Sequence, residues 1–345
     1  MGTGRRRVSV IYFISKLVKW DDLRMQIISN PTHDEIKKAA KALKDGHLVA
    51  FPTETVYGLG ADAENSEAVG RIYSVKARPT DHPLIVHIST IERMEDWAAD
   101  IPEYAFELAK NFWPGPLTLI LPRKRIAKNF ITGGQNSVGL RVPDNDIALA
   151  LLQEFEKIDG RGIAAPSANR FGAVSPTTAE AVDEELGIFL QNDDVIIDGG
   201  PCQVGIESTI LNCTGTRPRI LRPGVITYAG TVVETENESN SKAKQQIKAS
   251  GMLLSHYSPR ATVTLDTDPI SGEGMIALVE HHTPPGVIRL AAPVNEKEFA
   301  ECLYNALRKG DHLNLAKIVV YQPHHQGIGI AIRDRLAKIA YKADL

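Results

Sequence analysis

The stretch from Phe51 to Ile88 reads FPTETVYGLGADAENSEAVGRIYSVKARPTDHPLIVHI, and it decides how the rest of the chain is interpreted. Hydroxyl side chains and glycines follow a short apolar run at its start, and a second apolar run from Pro83 to Ile88 ends it. Apolar residues at helical spacing lie between the two runs, so the stretch predicts a strand, a helix and a second strand. Glycines let a backbone approach a ligand closely. We therefore expect this unit to carry part of a substrate site.

Two cations at the end of the predicted helix strengthen that expectation. Lys76 and Arg78 precede Pro79, which cannot continue a helix, so both side chains are predicted at the helix exit. Such a pair suits a polyanion, although basic residues at this position also stabilise a helix through its dipole alone. His87 adds an imidazole in the strand that follows, which makes the whole unit a candidate substrate site.

The composition of the chain is that of an ordinary globular protein. It has 345 residues, of which 43% are hydrophobic and 23% charged, and this length allows two domains. The net charge of −3 argues against binding of nucleic acid through overall positive charge, but it does not exclude a local basic cleft. Three scattered cysteines support neither a disulfide framework nor a thiolate metal site, which favours a reducing, cytoplasmic compartment.

Neither a membrane span nor a signal peptide is expected. No apolar run approaches the roughly 20 residues that a membrane-spanning helix needs. Residues 1–24 are predicted as an N-terminal extension in which three arginines precede an apolar run, as in a signal peptide. Lys16 and Lys19 interrupt that run, and no cleavage site follows. We favour a disordered tail, or a functional start at Met25.

The region from residue 25 to residue 230 is predicted as a catalytic domain. Strands and helices alternate in it, which predicts an α/β sheet with polar side chains at strand ends and in loops. Arg141 is at the tip of a predicted strand, where its planar donors can bind two carboxylate or phosphate oxygens. Ser167 and Asn169 follow another apolar strand, either as turn caps or as ligand groups. Four further hydroxyl or basic residues are predicted at strand ends or in loops: Ser137, Ser175, Ser208 and Arg222.

Composition changes after residue 230. Residues 231–260 begin with a polar tract typical of a linker and end in a less polar segment, from Ser250 to Arg260, which we expect to cover the first domain as a lid. Residues 261–345 carry the strand and helix patterns of a smaller α/β domain. Its adjacent histidine pairs, at 281–282 and 324–325, are poor metal ligands because neighbouring side chains on a strand point to opposite faces.

Several short motifs follow one another along the chain. They are Thr53-Glu-Thr-Val-Tyr-Gly-Leu-Gly60, Lys76-x-Arg78-Pro79, Ser137-Val-Gly-Leu-Arg141, Pro166-Ser167-Ala-Asn169, Ser175-Pro176-Thr177, Glu207-Ser208-Thr209 and Leu221-Arg222-Pro223-Gly224. In this order they resemble the YrdC/Sua5 family. The resemblance implies a YrdC-like twisted mixed sheet with a large concave cleft. The linker and second domain resemble the longer, two-domain Sua5 form, which has a smaller, Rossmann-like C-terminal α/β domain.

The resemblance implies an L-threonylcarbamoyladenylate synthase. This nucleotidyltransferase converts L-threonine, bicarbonate and ATP to threonylcarbamoyl-AMP, pyrophosphate and water. The product would serve t6A modification at position 37 of tRNA, which makes tRNA and a downstream threonylcarbamoyl transferase further partners. Mg²⁺ would bridge ATP oxygens, without an assigned protein ligand. The chemistry is consistent with the motifs, because a carbamate that attacks the α-phosphorus needs a site for two anions.

Roles for individual residues are also implied by the resemblance. Lys76 and Arg78 would contact the phosphates and stabilise the transition state. His82 stands where the family usually has asparagine and would donate a hydrogen bond to ATP. The L-threonine site would consist of Thr55, His87, Arg141 and Ser208, and the ATP site of Arg78, His82, Ser137, Ser167, Asn169, Ser175, Arg222 and His256.

Two other functions remain open from the sequence. One is a carbamoyltransferase on the same fold, although this sequence lacks the zinc-finger and acylphosphatase regions that accompany such domains. The other is a tRNA-binding or double-stranded-RNA-binding module, or a ribosome-assembly factor. The net charge and the lack of combined aromatic and basic RNA motifs weigh against this second function.

Overall fold

The computed structural model describes residues 27–227, 232–233, 247–252 and 257–341. Over these ranges the chain forms a mixed sheet of eleven strands and a parallel sheet of four strands, with helices packed against both. The predicted fold class, an α/β protein with a large mixed sheet and a second, smaller α/β unit, is confirmed. Residues 1–24, most of the linker and His256 lie outside the described residues.

The larger sheet has both parallel and antiparallel neighbours. Its strands are β1 Ile27–Ser29, β2 Val49–Phe51, β3 Gly58–Asp62, β4 Ile85–His87, β5 Leu117–Pro122, β6 Ser137–Arg141, β7 Ile163–Ala164, β8 Val195–Asp198, β9 Thr209–Asn212, β10 Arg219–Arg222 and β11 Val232–Val233. They lie in the order β1-β8-β2-β3-β7-β4-β6-β5-β9-β10-β11. β4 is parallel to β6, and the register places His87 opposite Arg141. Strand pairing therefore brings together two predicted site residues that are distant in sequence.

Local signals set the helix boundaries of the first domain. α1, His33–Lys44, begins with a capping box formed by Thr32 and Glu35. α2, Ser66–Lys76, is capped by the side chain of Asn65 and ends at Ala77, whose left-handed backbone, with φ of 51°, turns the chain out of the helix. The remaining helices of this domain are α3 Met94–Trp97, α4 Glu103–Phe112, α5 Asn129–Thr132, α6 Asp146–Glu156 and α7 Ala179–Leu186.

The smaller sheet is parallel and carries two long helices. Its elements in chain order are β12 Thr262–Leu265, β13 Gly274–Ile276, β14 Ile288–Ala291, α8 Glu296–His312, β15 Lys317–Val320 and α9 Ile328–Ala340. The strands lie in the order β12-β15-β13-β14. α8 continues to His312, and Ala306, Leu307 and Gly310 extend its buried face in the last turns.

One hydrophobic cluster joins the two domains. Val56, Val174 and Ile206 of the first domain are buried in the same cluster as Phe299 and Tyr304 of α8. Val56 also lines a cavity of about 630 Å³. The second domain therefore packs directly against the wall of that cavity.

Candidate active site

A cavity enclosing about 630 Å³ lies between the strand ends and loops of the first domain. The elements that line it include the loop after β2, the end of α2, the loop after β7 and the residues that enter β9. Most of the predicted site residues contribute to the lining: Thr55, Lys76, Arg78, His87, Arg141, Ser167, Asn169, Ser208 and Arg222. Because four of these carry a basic side chain other than histidine, the cavity suits an anionic ligand.

Lys76 enters the cavity from the last residue of α2. It is buried, and its side-chain nitrogen donates hydrogen bonds to the backbone carbonyls of Ser167, at 2.6 Å, and Asn169. In its charged form the group has three donors, so these two carbonyls leave one for a ligand. Burial, followed by the nearby charge of Arg78, holds the pKa of Lys76 well below its ordinary value. A bound anion would favour the charged form.

Arg78 follows Lys76 across the left-handed turn at Ala77. Its Nη2 donates to the carbonyl oxygen of Pro83, at 3.0 Å, and to Ser250 Oγ, at 3.1 Å. The guanidinium lies over the ring of Phe171, 5.7 Å from its centroid. Arg78 Nε is buried and has no hydrogen-bond partner among the described residues. Burial lowers the pKa of Arg78 to about 10, and an acceptor on a bound ligand would relieve the unpaired donor.

Arg141 is held by polar groups from the Thr53–Thr55 loop. Its Nη2 lies 2.7 Å from Glu54 Oε2, and its Nη1 donates to Thr55 Oγ1 at 2.9 Å. Thr55 Oγ1 also lies 2.8 Å from Thr53 Oγ1. These contacts fix the plane of the guanidinium, so it is held in one orientation toward the carboxylate of a bound ligand.

His87 is a neutral group in this site. The side chain is buried, and its ring packs edge-on against Phe51 with centroids 5.9 Å apart. Burial, followed by the charge of Arg141, lowers the pKa of His87 to about 3. Its Nδ1 has no hydrogen-bond partner among the described residues, so the imidazole can contact a ligand without adding charge.

Ser208 and Arg222 form a unit at the entry to β9. Arg222 donates from Nε to the carbonyl oxygen of Ser208, at 3.0 Å, and from Nη2 to Ser208 Oγ, at 3.1 Å. Ser208 Oγ also lies 2.8 Å from Thr118 Oγ1. The β9–β10 register shifts between Ile220 and Arg222, and a shift of this kind re-aims a side chain. Burial lowers the pKa of Arg222.

Asn169 keeps one oxygen unpaired in the cavity wall. Its Nδ2 donates to the carbonyls of Arg170, at 2.7 Å, and Ala173, at 2.8 Å. Asn169 Oδ1 is buried and has no partner among the described residues. The amide is therefore oriented by its own loop and presents an acceptor to whatever enters the cavity.

Some predicted site residues lie outside this cavity. Ser137 lines a smaller neighbouring cavity of about 290 Å³, and Ile85 and Ser250 line both cavities. Ser175 is buried, and its hydroxyl donates to Glu207 Oε1 at 2.7 Å. His82 packs edge-on against Phe171 with ring centroids 5.3 Å apart, and burial lowers its pKa. His256 lies outside the described residues.

The segment 247–252 returns to the first domain, as the sequence suggests. Lys248 exchanges two hydrogen bonds with the side chain of Gln135, one through its backbone N–H at 2.7 Å and one through its carbonyl at 3.0 Å. Ser250 contacts Arg78 through its hydroxyl, and its carbonyl accepts from Arg222 Nη1 at 3.1 Å. These contacts place the segment between the two cavities. Its action as a lid stays a prediction.

Sequence reasoning did not assign Glu207 and Phe171 to the cavity wall. Glu207 precedes Ser208 in a motif that the sequence does show, but nothing in the motif indicates that the carboxylate is buried. No group of histidine, cysteine and acidic side chains suited to a metal ion occurs among the described residues. None of the described helices is both long and apolar enough to cross a membrane.

A mixed sheet with four lysine and arginine side chains around one cavity, backed by a parallel-sheet domain, defines an α/β protein with a site for anionic small molecules. The chain belongs to the Sua5/YciO/YrdC family. The model of that family, described as telomere recombination, matches residues 41–224. A second model, described as the C-terminal domain of threonylcarbamoyl-AMP synthase, matches residues 224–340.

Relatives cover nearly the whole chain. A threonylcarbamoyl-AMP synthase of Pyrococcus abyssi is 39% identical over 88% of this chain and 93% of its own length. A protein of the same name from Bacillus subtilis is 39% identical over 89% of this chain and 93% of its own length. The crystal structure of P. abyssi Sua5 complexed with L-threonine matches with a TM-score of 0.81 and 37% identity, over 92% of this chain and 98% of that one.

Proposed function

We propose that this protein is an L-threonylcarbamoyladenylate synthase. L-threonine and bicarbonate form a carbamate with loss of water, and a carbamate oxygen then attacks the α-phosphorus of ATP and displaces pyrophosphate. The reaction is a nucleotidyl transfer. The observation that carries the proposal is that Lys76, Arg78, Arg141 and Arg222 line one cavity, since this reaction must hold an amino-acid carboxylate and the polyphosphate of ATP next to each other. The names of the P. abyssi and B. subtilis relatives support it.

Contacts within the cavity separate the proposed substrate residues into two groups. Arg141, Thr55 and His87 are linked by a hydrogen bond and by strand register. We assign this group to L-threonine, with Arg141 on the carboxylate. That the P. abyssi protein was crystallised with L-threonine supports the choice of substrate. Ser208, which contacts Arg222, completes the threonine side next to the nucleotide.

The second group is assigned to ATP. Lys76 is bound to the loop that carries Ser167 and Asn169. Lys76 and Arg78 stabilise negative charge that develops on the phosphoryl oxygens and on the leaving pyrophosphate. The remaining proposed ATP contacts are Ser137, Ser175, Arg222, His82 and His256, of which Ser137 would be reached through the adjoining cavity.

Mg²⁺ is the proposed cofactor. Mg²⁺ is usually held by substrate phosphates with one or two protein oxygens, and Asn169 Oδ1 is a buried, unpaired oxygen in the cavity wall. Asn169 would therefore hold the ion together with ATP oxygens, and the ion would neutralise phosphate charge. The cations of the cavity then position the polyphosphate around that oxygen.

The reactivity of the product indicates which protein must act next. A mixed anhydride of a carbamate and AMP is readily hydrolysed, so it must be used by an acyl-type transfer enzyme. We propose that this partner is a threonylcarbamoyl transferase acting on adenosine 37 of tRNA. The cytoplasm, where tRNA is modified, is the proposed compartment.

Pyrophosphate release tests the proposal. Purified protein with ATP and Mg²⁺ is expected to release pyrophosphate only when L-threonine and bicarbonate are both present. Arg78→Ala should lose most of this activity, whereas Arg123→Ala should keep it, since Arg123 binds Ala127 and Asn129 and lines neither cavity. Release without threonine, or transfer from carbamoyl phosphate, would refute the substrate assignment. RNA binding without turnover would instead support an RNA-binding module.

A further inference from the structure

Arg335, on α9 of the second domain, reaches the first domain at the wall of the cavity. It is fully buried, at 0% exposed, in the described structure. Its Nε donates to Glu207 Oε2 at 2.8 Å, and its Nη2 donates to the backbone carbonyl of Glu207 at 3.3 Å. Its Nη1 donates to the carbonyl of Pro223 at 2.9 Å and to Asp334 Oδ2 at 2.6 Å. One side chain of the second domain thus binds two separate segments of the first.

Those two segments carry cavity-lining residues. Glu207 immediately precedes Ser208, and Pro223 immediately follows Arg222. Ser208 and Arg222 contact each other through two hydrogen bonds. Arg335 therefore holds the backbone on the outer side of a pair of residues that face the cavity.

Glu207 is the centre of the contact. Its Oε1 accepts from Ser175 Oγ at 2.7 Å, and Tyr304 of α8 donates to Oε2 at 3.0 Å. Burial alone would raise the pKa of Glu207, but Arg335 and Arg222 outweigh it and hold the pKa at about 2. The charged and titratable groups that face this carboxylate are Arg335, Arg222, Tyr304 and Tyr257.

We propose that Arg335 is a positioning residue for the substrate site, acting through Glu207 and Pro223 on Ser208, Arg222 and Ser175. This inference rests on the proposed synthase activity, because these three residues are assigned there to substrates. Without Arg335, Arg222 is the remaining guanidinium that faces the buried Glu207 carboxylate. Glu207 would then pair with Arg222 and turn it away from Ser208 and from the nucleotide.

Kinetics of Arg335→Met test this inference against a matched control. Arg308 of α8 is also buried and also crosses the domain interface, where it pairs with Glu185 at 3.1 Å and donates to the carbonyl of Val174. Neither of these partners lines the cavity. Arg335→Met should lower kcat/KM for ATP by about 10- to 100-fold, mainly through KM, because small displacements of binding groups have effects of this size. Arg308→Met, compared at an equal folded fraction, should change kcat/KM little.

The pH profile distinguishes positioning from a purely structural role. In the wild type Glu207 stays ionised at every working pH. In Arg335→Met the pKa of Glu207 should rise, so activity should fall with decreasing pH in a range where the wild type is unaffected. Arg335→Lys, which restores the charge, should remove this pH dependence. Glu207→Gln combined with Arg335→Met should also remove it, because the buried charge is gone.

Two outcomes overturn the inference. Equal losses in Arg335→Met and Arg308→Met would reduce Arg335 to a domain-docking residue, and a pH profile of Arg335→Met parallel to that of the wild type would exclude its action through Glu207. A wild-type protein without threonine-dependent pyrophosphate release is a different result. That result refutes the proposed function itself.

Discussion

Arg141 Nη2 lies 2.7 Å from Glu54 Oε2, and each side chain is only 5% exposed. The pair is enclosed by the hydroxyl of Thr55 and the carbonyl of Gly115, both of which accept from the guanidinium. A buried ion pair contributes little net stability, but the removal of one partner leaves an uncompensated charge. Glu54 therefore compensates the charge of Arg141 and orients its guanidinium in the cavity.

Glu54→Gln should lower the free energy of unfolding by about 3–5 kcal/mol, because it leaves the buried Arg141 without a counter-ion. Urea unfolding measures this loss. Glu64→Gln is the control, since Glu64 pairs with Arg161 at 3.2 Å on the surface and should cost about 0–1 kcal/mol. Similar losses in the two variants would show that the buried pair has no special role.

His87 should make the protein less stable in mild acid. Its pKa is about 3 in the folded protein and 6.5 in the ordinary state, so the unfolded chain binds a proton that the folded chain does not. Stability is therefore lost as pH falls from about 6.5 toward 3, by about 2 kcal/mol between about pH 7 and pH 5. Urea unfolding of His87→Gln at both pH values should show a smaller difference than the wild type. An unchanged difference would mean that other groups cause the acid sensitivity.

Lys76 should take up a proton when a polyphosphate binds. Burial and Arg78 hold its pKa well below the ordinary value, and an adjacent anion raises it again. Calorimetric titration with pyrophosphate in buffers of different ionisation enthalpy measures the protons bound. Lys76→Met should bind fewer protons than the wild type, while Lys124→Met, which lies outside both cavities, should bind the same number. Equal uptake in all three proteins would place the titrating group elsewhere.

Gly251→Ala should disturb the segment that lies over the cavity. Gly251 has a φ of +79°, and a Cβ there would lie 2.3 Å from the Tyr257 hydroxyl and 3.1 Å from Arg222 Cδ. Threonine-dependent turnover should fall because the segment must shift away from Arg222. Gly272→Ala provides the control, since Gly272 has a similar φ of +87° and open space around it. Any effect of backbone strain alone would appear equally in both variants.

Local sequence signals predicted much of the site. The helix stop predicted before Pro79 placed Lys76 and Arg78 together, and the structure brings both into the cavity. The strand pattern around residues 137–141 predicted β6, and Arg141 is at its tip. These predictions succeed because a helix stop or a strand end depends on neighbouring residues in the sequence.

Other features depend on contacts between distant residues, and the sequence did not reveal them. Ser175 does not line the cavity and donates instead to Glu207. Ser137 lines the neighbouring cavity, which Ser250 also lines. The burial of Glu207 depends on an arginine 128 residues away. Propensity and periodicity describe only one segment at a time.

The contact between Glu207 and Arg335 has a consequence for biosynthesis. Translation proceeds from the N-terminus, so Glu207 leaves the ribosome 128 residues before its partner. At about 5–20 residues per second, the first domain waits roughly 6 to 26 s with this carboxylate lacking its second-domain counter-ion. The nascent first domain therefore lacks the Arg335 contact to Glu207 until α9 has been synthesised. The cavity wall is complete only after α9 packs against the first domain.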